Sequence, residues 1–287
     1  SSLGEPVKQE PVETLDTTTS RRVFLQRTAA MALMPALLPT LRSGLSHELS
    51  GYAQPARRPR PTRAQLDWQR DELALFCHFG VNTFTNREWG DGREVPSIFN
   101  PSALDCREWT RAARACGAKA LILTAKHHDG FCLWPTATTT HSVASSPFRN
   151  GQGDLVREFV DACRADGLRP GLYLSPWDRN HPAYGDSPRY NDVYRAQLTE
   201  LLTRYGNIHE VWFDGANGEG PNGKRQQYDW PATWSLVRRL QPNAVMFSDA
   251  GPDVRWIGNE RGVAGETNWS TVRPEIVPVP GLEGAEV

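Results

Sequence analysis

The feature that most constrains the fold is a regular alternation of short apolar runs with amphipathic stretches, beginning near Leu73. Strand and helix patterns that alternate in this way form a parallel sheet. The pattern predicts six strands, at residues 73–79, 120–125, 170–174, 210–213, 244–247 and 254–257. It predicts helices between them at residues 106–115, 155–165, 193–205 and 232–240. The chain is therefore expected to be an α/β protein.

Two α/β folds fit this alternation, an open doubly wound sheet and a closed barrel. No Gly-x-Gly-x-x-Gly sequence follows the first strand, which weakens the nucleotide-binding form of the open sheet. Polar or charged residues instead follow each predicted strand: His78, residues 127–129, Trp177 and Asp178, Asp214, Ser248 and Asp249, and Glu260. Barrels build their active sites from such clusters at the carboxyl ends of the strands. The sequence thus favours a (β/α)8-type TIM-like barrel.

The recognisable strands are too few for a complete barrel of eight. Residues 271–287 are rich in Pro and Gly and resemble a loop. We therefore expect the barrel to be truncated before its last one or two strands. Residues 63–287 are assigned to this catalytic barrel, and residues 1–62 to an export signal followed by a disordered spacer.

The export signal is predicted from Arg21 and Arg22, which precede a modest apolar stretch. A paired arginine in this position is typical of the bacterial twin-arginine signal. Pro35 and Pro39 interrupt the apolar stretch, which is shorter than the roughly 20 residues that a membrane span needs. The expected location is periplasmic or secreted, without a stable membrane span.

Charge and aromatic content narrow the choice of ligand. The chain carries 32 Lys and Arg against 33 Asp and Glu, so no overall field attracts nucleic acid or anionic lipid. A neutral ligand fits this balance better. Several of the 10 Trp residues stand beside His, Asp or Gly, as in sugar sites where the pyranose packs on indole and polar neighbours bind its hydroxyls.

Two carboxylates suit glycosidic bond cleavage. Asp214 ends the hydrophobic strand that contains Trp212, and Gly215 lets the backbone turn away after it. Such a placement suits a nucleophile, although Asp214 could equally cap the next segment or bind an arginine. A retaining glycosidase needs a second carboxyl about 5 to 5.5 Å away as acid/base. Glu260 is favoured for this role over its rival Glu266, because Trp256 and Asn259 lie beside it.

Neutral imidazoles could bind sugar hydroxyls in the same region. His127 and His128 follow the second predicted strand, and His78 follows the first. Adjacent residues at a strand end are expected to point to opposite faces, which would make joint binding of one metal ion awkward. A purely structural histidine pair remains an alternative.

Together these motifs resemble the α-L-fucosidases of glycoside hydrolase family 29, over residues 68–287. The resemblance is carried by His78-Phe79-Gly80, Glu88-Trp89, residues 126–134 (KHHDGFCLW), residues 171–177 (GLYLSPW) and Trp212-Phe213-Asp214-Gly215. It implies that Asp214 is the nucleophile. It also implies that fucose is bound by residues from the group His78, Glu88, Trp89, His127, His128 and Tyr173. We add Trp177 and Trp212 as expected sugar contacts.

The resemblance implies a cofactor-independent enzyme that removes terminal fucose from oligosaccharides or glycoconjugates by double displacement with retention of configuration. The Gly-Asn-Glu setting of Glu260 resembles the branch that cleaves α-1,3 or α-1,4 linkages to GlcNAc. Two other function classes stay open. One is a carbohydrate-binding barrel without activity. The other is a metal-dependent hydrolase that uses His78, His127, His128 and Asp214.

Overall fold

The fold is a single parallel sheet with helices between its strands. The computed structural model describes residues 60–248 and 251–256. Within them, six strands pair in chain order, each parallel to the next: β1 (Ala74–Cys77), β2 (Ala120–Lys126), β3 (Arg169–Leu174), β4 (Glu210–Trp212), β5 (Val245–Ser248) and β6 (Val254–Arg255). The α-helices of this part are α1 (Arg63–Asp71), α2 (Cys106–Ala115), α3 (Leu155–Ala165), α4 (Ser187–Arg204) and α5 (Trp230–Leu240). All six predicted strands are therefore confirmed, with shifted ends.

The sheet curls into a half-barrel. In a flat sheet β1 and β4 would lie roughly 14 Å apart, because neighbouring strands are about 4.8 Å apart. The ring centroids of Phe76 on β1 and Trp212 on β4 are instead 5.5 Å apart, with Tyr173 of β3 within 5.8 Å of Phe76. Aromatic side chains thus fill the concave side, as expected for part of a TIM-like barrel.

The two helices α2 and α3 have the predicted bounds because their end signals are local. Asp105 and Asp154 are their N-caps, and each carboxylate accepts a hydrogen bond from a backbone N–H of the first turn. Gly117 and Gly167 follow these helices with φ of 86° and 71°, a left-handed conformation that costs glycine little. The chain then enters β2 and β3 directly.

Three helices differ from the prediction, α5 only in that it begins at Trp230 rather than residue 232. Helix α4 begins at Ser187 rather than residue 193, since Pro188 occupies its first turn, where proline removes no helical hydrogen bond. Helix α1 was not predicted, and it starts at a capping box formed by Thr62 and Gln65. No helix of the described part is long and apolar enough to cross a bilayer. The predicted export signal lies outside the described residues.

A buried ion pair joins β2 to the loop after β3 and to α4. Lys126 ends β2 with no exposed side-chain surface, and its Nζ lies 3.2 Å from Asp178 Oδ2. The same ammonium donates to Tyr190 Oη at 2.9 Å and to Gln197 Oε1 at 2.9 Å on α4. All three ammonium protons are thereby used, as a buried charge requires.

Asp178 is equally well satisfied. Its Oδ2 accepts from Tyr190 Oη at 3.0 Å, and its Oδ1 accepts from the backbone N–H groups of Asn180 and His181. Burial alone would raise the pKa of this carboxyl, but Lys126 and the backbone donors outweigh burial and lower it. The pair therefore stabilises the fold above the unfolded pKa, near 3.9, and this stability is lost as the pH falls.

We predict that Lys126→Met lowers the free energy of unfolding by about 3 kcal/mol, because it leaves Asp178 buried without its counter-charge. Urea unfolding of the full chain followed by circular dichroism measures the change. Arg63→Met is the matched control, since its partner Asp67 is on an exposed helix face. Equal midpoints for the two variants would contradict a structural role for the buried pair.

Candidate active site

The polar residues that follow the strands meet at one edge of the half-barrel. Parallel strands in register place all their carboxyl ends together. The structure therefore brings together most of the predicted site residues: His78, His127, His128, Tyr173, Trp177, Trp212 and Asp214. Trp89, from the loop after β1, joins them at the outer rim.

Asp214 lies at the centre of this cluster, two residues after the end of β4. Its side chain is 25% exposed, so one face of the carboxylate is open to a ligand. Tyr173 Oη donates to Oδ2 at 2.7 Å, and the backbone N–H of Ala216 donates to Oδ1 at 2.7 Å. The bond to Oδ1 closes a turn, which agrees with the alternative that Asp214 caps the next segment. Oδ2 faces the histidines.

His127 and His128 lie side by side rather than on opposite faces. Their ring centroids are 4.2 Å apart, with an interplanar angle of 35°. The expectation of opposite faces was wrong because β2 ends at Lys126, after an irregularity in its pairing with β3 that begins at Thr124. Strict alternation stops there, and both rings turn toward the site.

The imidazoles next to Asp214 are neutral at physiological pH. Burial lowers the pKa of His127 and of His128 to about 3, and burial also lowers the pKa of His78. The 4.0 Å contact between His128 Nε2 and Asp214 Oδ2 is therefore not an ion pair at neutral pH. Tyr173 keeps its proton, because burial and Asp214 raise its pKa well above the ordinary value.

Tryptophans and an arginine form the rim. Trp177 packs between Trp89 and His128, with ring centroids 5.2 Å and 5.0 Å away. The Arg179 guanidinium lies over both tryptophans, 5.1 Å and 5.4 Å from their centroids. Gly218 leaves room for this arrangement, since a Cβ there would stand 2.1 Å from the Trp177 ring. The rim thus offers a partly exposed aromatic surface, with Trp89 41% exposed.

Among the described residues, Glu88 is the predicted site residue that stands apart from the cluster. The Glu88 side chain is exposed, and its carboxylate forms no hydrogen bond or ion pair with any described residue. Glu260 and its rival Glu266 lie outside the described residues. Trp212 is on the concave side, stacked on Phe247 with ring centroids 5.0 Å apart. Its ring also packs against Tyr173, with centroids 5.4 Å apart.

The sequence prediction assigned no role to the residues that hold the histidines in place. Lys126 and Asp178 immediately flank His127 and Trp177 in sequence, and their ion pair fixes both loops. Gly130 has a φ of 80°, and a Cβ there would lie 2.4 Å from Asp178 Oδ1. The sequence held one signal of these supporting contacts. Tyr190 and Gln197, which both accept from Lys126, are seven positions apart and so lie on the same face of α4.

The donor set does not resemble a metal centre in the described part of the chain. No group of three or more His, Cys, Asp and Glu side chains there is arranged to hold a metal ion. A carboxylate surrounded by neutral donors, acceptors and aromatic faces instead suits an uncharged, hydroxyl-rich ligand.

Comparisons with known proteins agree with this geometry. The sequence family described as alpha-L-fucosidase matches residues 78–267. Alpha-L-fucosidase 1 of Arabidopsis thaliana is 55% identical over 212 residues, covering 74% of this chain and 42% of that protein. The chain spans about half the length of the curated relatives it matches.

Solved structures give the same result. A glycoside hydrolase 29 family member from an unknown rumen bacterium is 51% identical with a TM-score of 0.71, covering 76% of this chain and 42% of that one. A Ruminococcus gnavus family 29 fucosidase in complex with fucose is 38% identical with a TM-score of 0.66, covering 73% of this chain and 48% of that one.

We predict that His127 and His128 do not titrate between pH 5 and pH 8 in the folded protein, because burial lowers both pKa values to about 3. The pH dependence of histidine NMR signals in the labelled full chain measures this. In urea the same residues should titrate near 6.5. Since the folded pKa is the lower one, stability should fall as the pH drops below about 6.5. A folded-state midpoint near 6.5 for either residue would contradict the buried arrangement.

Proposed function

Because this chain belongs to the α-L-fucosidases of glycoside hydrolase family 29, we propose that it removes terminal α-L-fucose from fucosylated oligosaccharides or glycoconjugates. The observation that carries the proposal is the setting of Asp214. Its carboxylate is partly exposed, oriented by Tyr173 and Ala216, and surrounded by neutral imidazoles. The aromatic rim supplies apolar faces for a sugar ring.

The proposed mechanism is a double displacement with retention of configuration. An oxygen of Asp214 attacks the anomeric carbon, the glycosidic C–O bond breaks, and the departing oxygen takes a proton from Glu260. Glu260 then removes a proton from water, which attacks the fucosyl ester and releases fucose and the free carboxylate. Tyr173 and Ala216 hold Asp214 so that little reorganisation is needed before the attack. No step requires a metal ion or an organic cofactor.

The sequence around Glu260 supports a finer proposal, cleavage of α-1,3 or α-1,4 linkages to GlcNAc. Arg21 and Arg22 likewise support export by the twin-arginine route to the periplasm or the medium. Cell fractionation tests the export proposal, because replacing both arginines by lysine should retain the protein in the cytoplasm. Unchanged export of that variant would contradict it.

We predict that the wild-type protein releases fucose from a Lewis-type trisaccharide and that Asp214→Ala lowers kcat by roughly 10³-fold or more. Added azide should restore turnover of the variant and give the fucosyl azide of inverted configuration. A nitrophenyl α-L-fucoside is assayed in parallel. Release from the trisaccharide alone supports the linkage proposal, whereas release from both substrates removes the restriction.

The matched control is Asp192→Ala, since Asp192 is an exposed aspartate on α4 with a side chain 77% accessible. It should keep wild-type activity. Release from neither substrate by the wild-type chain would contradict the proposed enzyme. Unchanged activity of Asp214→Ala would contradict the nucleophile.

We predict that Glu260→Gln lowers kcat/KM for the trisaccharide by about 10² to 10⁴-fold, because the departing sugar oxygen needs a proton. With α-fucosyl fluoride the loss should be much smaller, since fluoride departs without one. Glu266→Gln is the comparison. If Glu266→Gln shows this difference between substrates and Glu260→Gln does not, the acid/base assignment passes to Glu266.

A further inference from the structure

A buried serine contacts the ring of His128 on the side away from the ligand. His128 Nδ1 and Ser175 Oγ are 2.7 Å apart, and both residues are buried. The Ser175 hydroxyl also donates to the backbone carbonyl of Trp177 at 2.8 Å. Ser175 has no exposed surface, so it cannot touch a sugar itself.

The number of protons available in this contact determines which ring nitrogen of His128 carries the proton. A hydroxyl has one proton, and the Trp177 carbonyl can only accept it. Tyr173 Oη also neighbours the Ser175 hydroxyl, but the proton of Tyr173 is donated to Asp214 Oδ2. Ser175 has no second proton to give, so His128 Nδ1 is the donor of the 2.7 Å hydrogen bond. Since burial keeps His128 neutral at physiological pH, a proton on Nδ1 leaves Nε2 with a lone pair.

We propose that Ser175 is a positioning residue that holds His128 in the Nδ1–H tautomer, so that Nε2 accepts a hydrogen bond from one hydroxyl of the sugar. The proposal rests on the proposed function for the identity of the ligand. The tautomer itself does not depend on it.

The backbone makes this contact a fixed part of the site. The Ser175 N–H donates to the Lys126 carbonyl, and the Arg179 N–H donates to the His128 carbonyl, both at 2.9 Å. These bonds continue the pairing of β2 and β3 beyond their ends and bring the hydroxyl next to Nδ1. The neighbouring His127 differs, because its buried Nδ1 has no partner among the described residues.

The geometry at Nε2 gives the tautomer a consequence for specificity. Nε2 lies 4.0 Å from Asp214 Oδ2, so two acceptors face each other across a narrow gap. A ligand group in this gap has to donate a proton, as a hydroxyl does. A hydrogen or fluorine atom at that ligand position leaves Nε2 unpaired, which costs binding free energy.

The direct test is the tautomer of His128 in the full chain, read from two-bond couplings in a long-range ¹H–¹⁵N spectrum of histidine-labelled protein at neutral pH. The signals are assigned by their loss in His128→Gln. We expect Nδ1–H in the wild type and a shift toward Nε2–H in Ser175→Ala. Nε2–H in the wild type would overturn the proposal, whether or not the Ser175→Ala protein folds.

The matched control is Ser142→Ala, since Ser142 is also buried but its Oγ has no partner in the described part of the chain. It should leave the His128 tautomer unchanged. Retention of Nδ1–H in a folded Ser175→Ala protein would also overturn the proposal.

Kinetics distinguish positioning from a general loss of stability. Ser175→Ala should lower kcat/KM about 10-fold on the natural linkage, the value of one hydrogen bond. The same two proteins are then compared on a series of substrates in which each fucose hydroxyl is replaced in turn by hydrogen. The 10-fold difference between wild type and Ser175→Ala should disappear only for the substrate that lacks the hydroxyl bound by Nε2. An equal loss across the series would contradict the assignment. If the wild type cleaves neither the unmodified substrate nor any member of the series, the proposed function fails. The NMR spectrum still decides the tautomer of His128 in that case.

Discussion

The buried ion pair between Lys126 and Asp178 is the interaction on which the site depends. Lys126 is followed directly by His127 and His128, and Asp178 is preceded directly by Trp177. The pair, tied to Tyr190 and Gln197 of α4, therefore sets the direction in which two consecutive loops leave the sheet. A charge buried in this way is costly unless fully paired, and the complete set of donors and acceptors around it explains how the fold tolerates it.

The pair also shapes the chemistry at the strand ends. By holding the histidines against Tyr173 and Trp177, it buries them deeply enough to keep both imidazoles neutral. Asp214 then stands among uncharged hydrogen-bonding groups. A neutral sugar can approach such a carboxylate without displacing a counter-ion, and fixed dipoles can stabilise the charge that develops during reaction.

Much of the fold was predictable because its signals are local. Asp105, Asp154, Gly117 and Gly167 mark helix ends through side-chain caps and a left-handed φ, so α2 and α3 have the predicted bounds. The prediction that His127 and His128 face opposite ways failed, because it applied strand alternation to residues that follow the strand, where the pairing with β3 is already irregular. The tautomer-setting contact of Ser175 was not predictable, since it depends on pairing between two loops that no sequence period reveals.

We propose that Asp214 forms a covalent bond to fucose during the reaction. A 2-fluoro-fucosyl fluoride should trap the intermediate, because the fluorine at C2 destabilises the oxocarbenium-like transition states and slows hydrolysis of the ester. Peptide mass spectrometry of the trapped protein should find one 2-fluorofucosyl adduct, located on Asp214, with the anomeric fluoride released. An adduct on another carboxylate, or complete turnover of the reagent with no adduct and inverted product, would contradict a covalent role for Asp214.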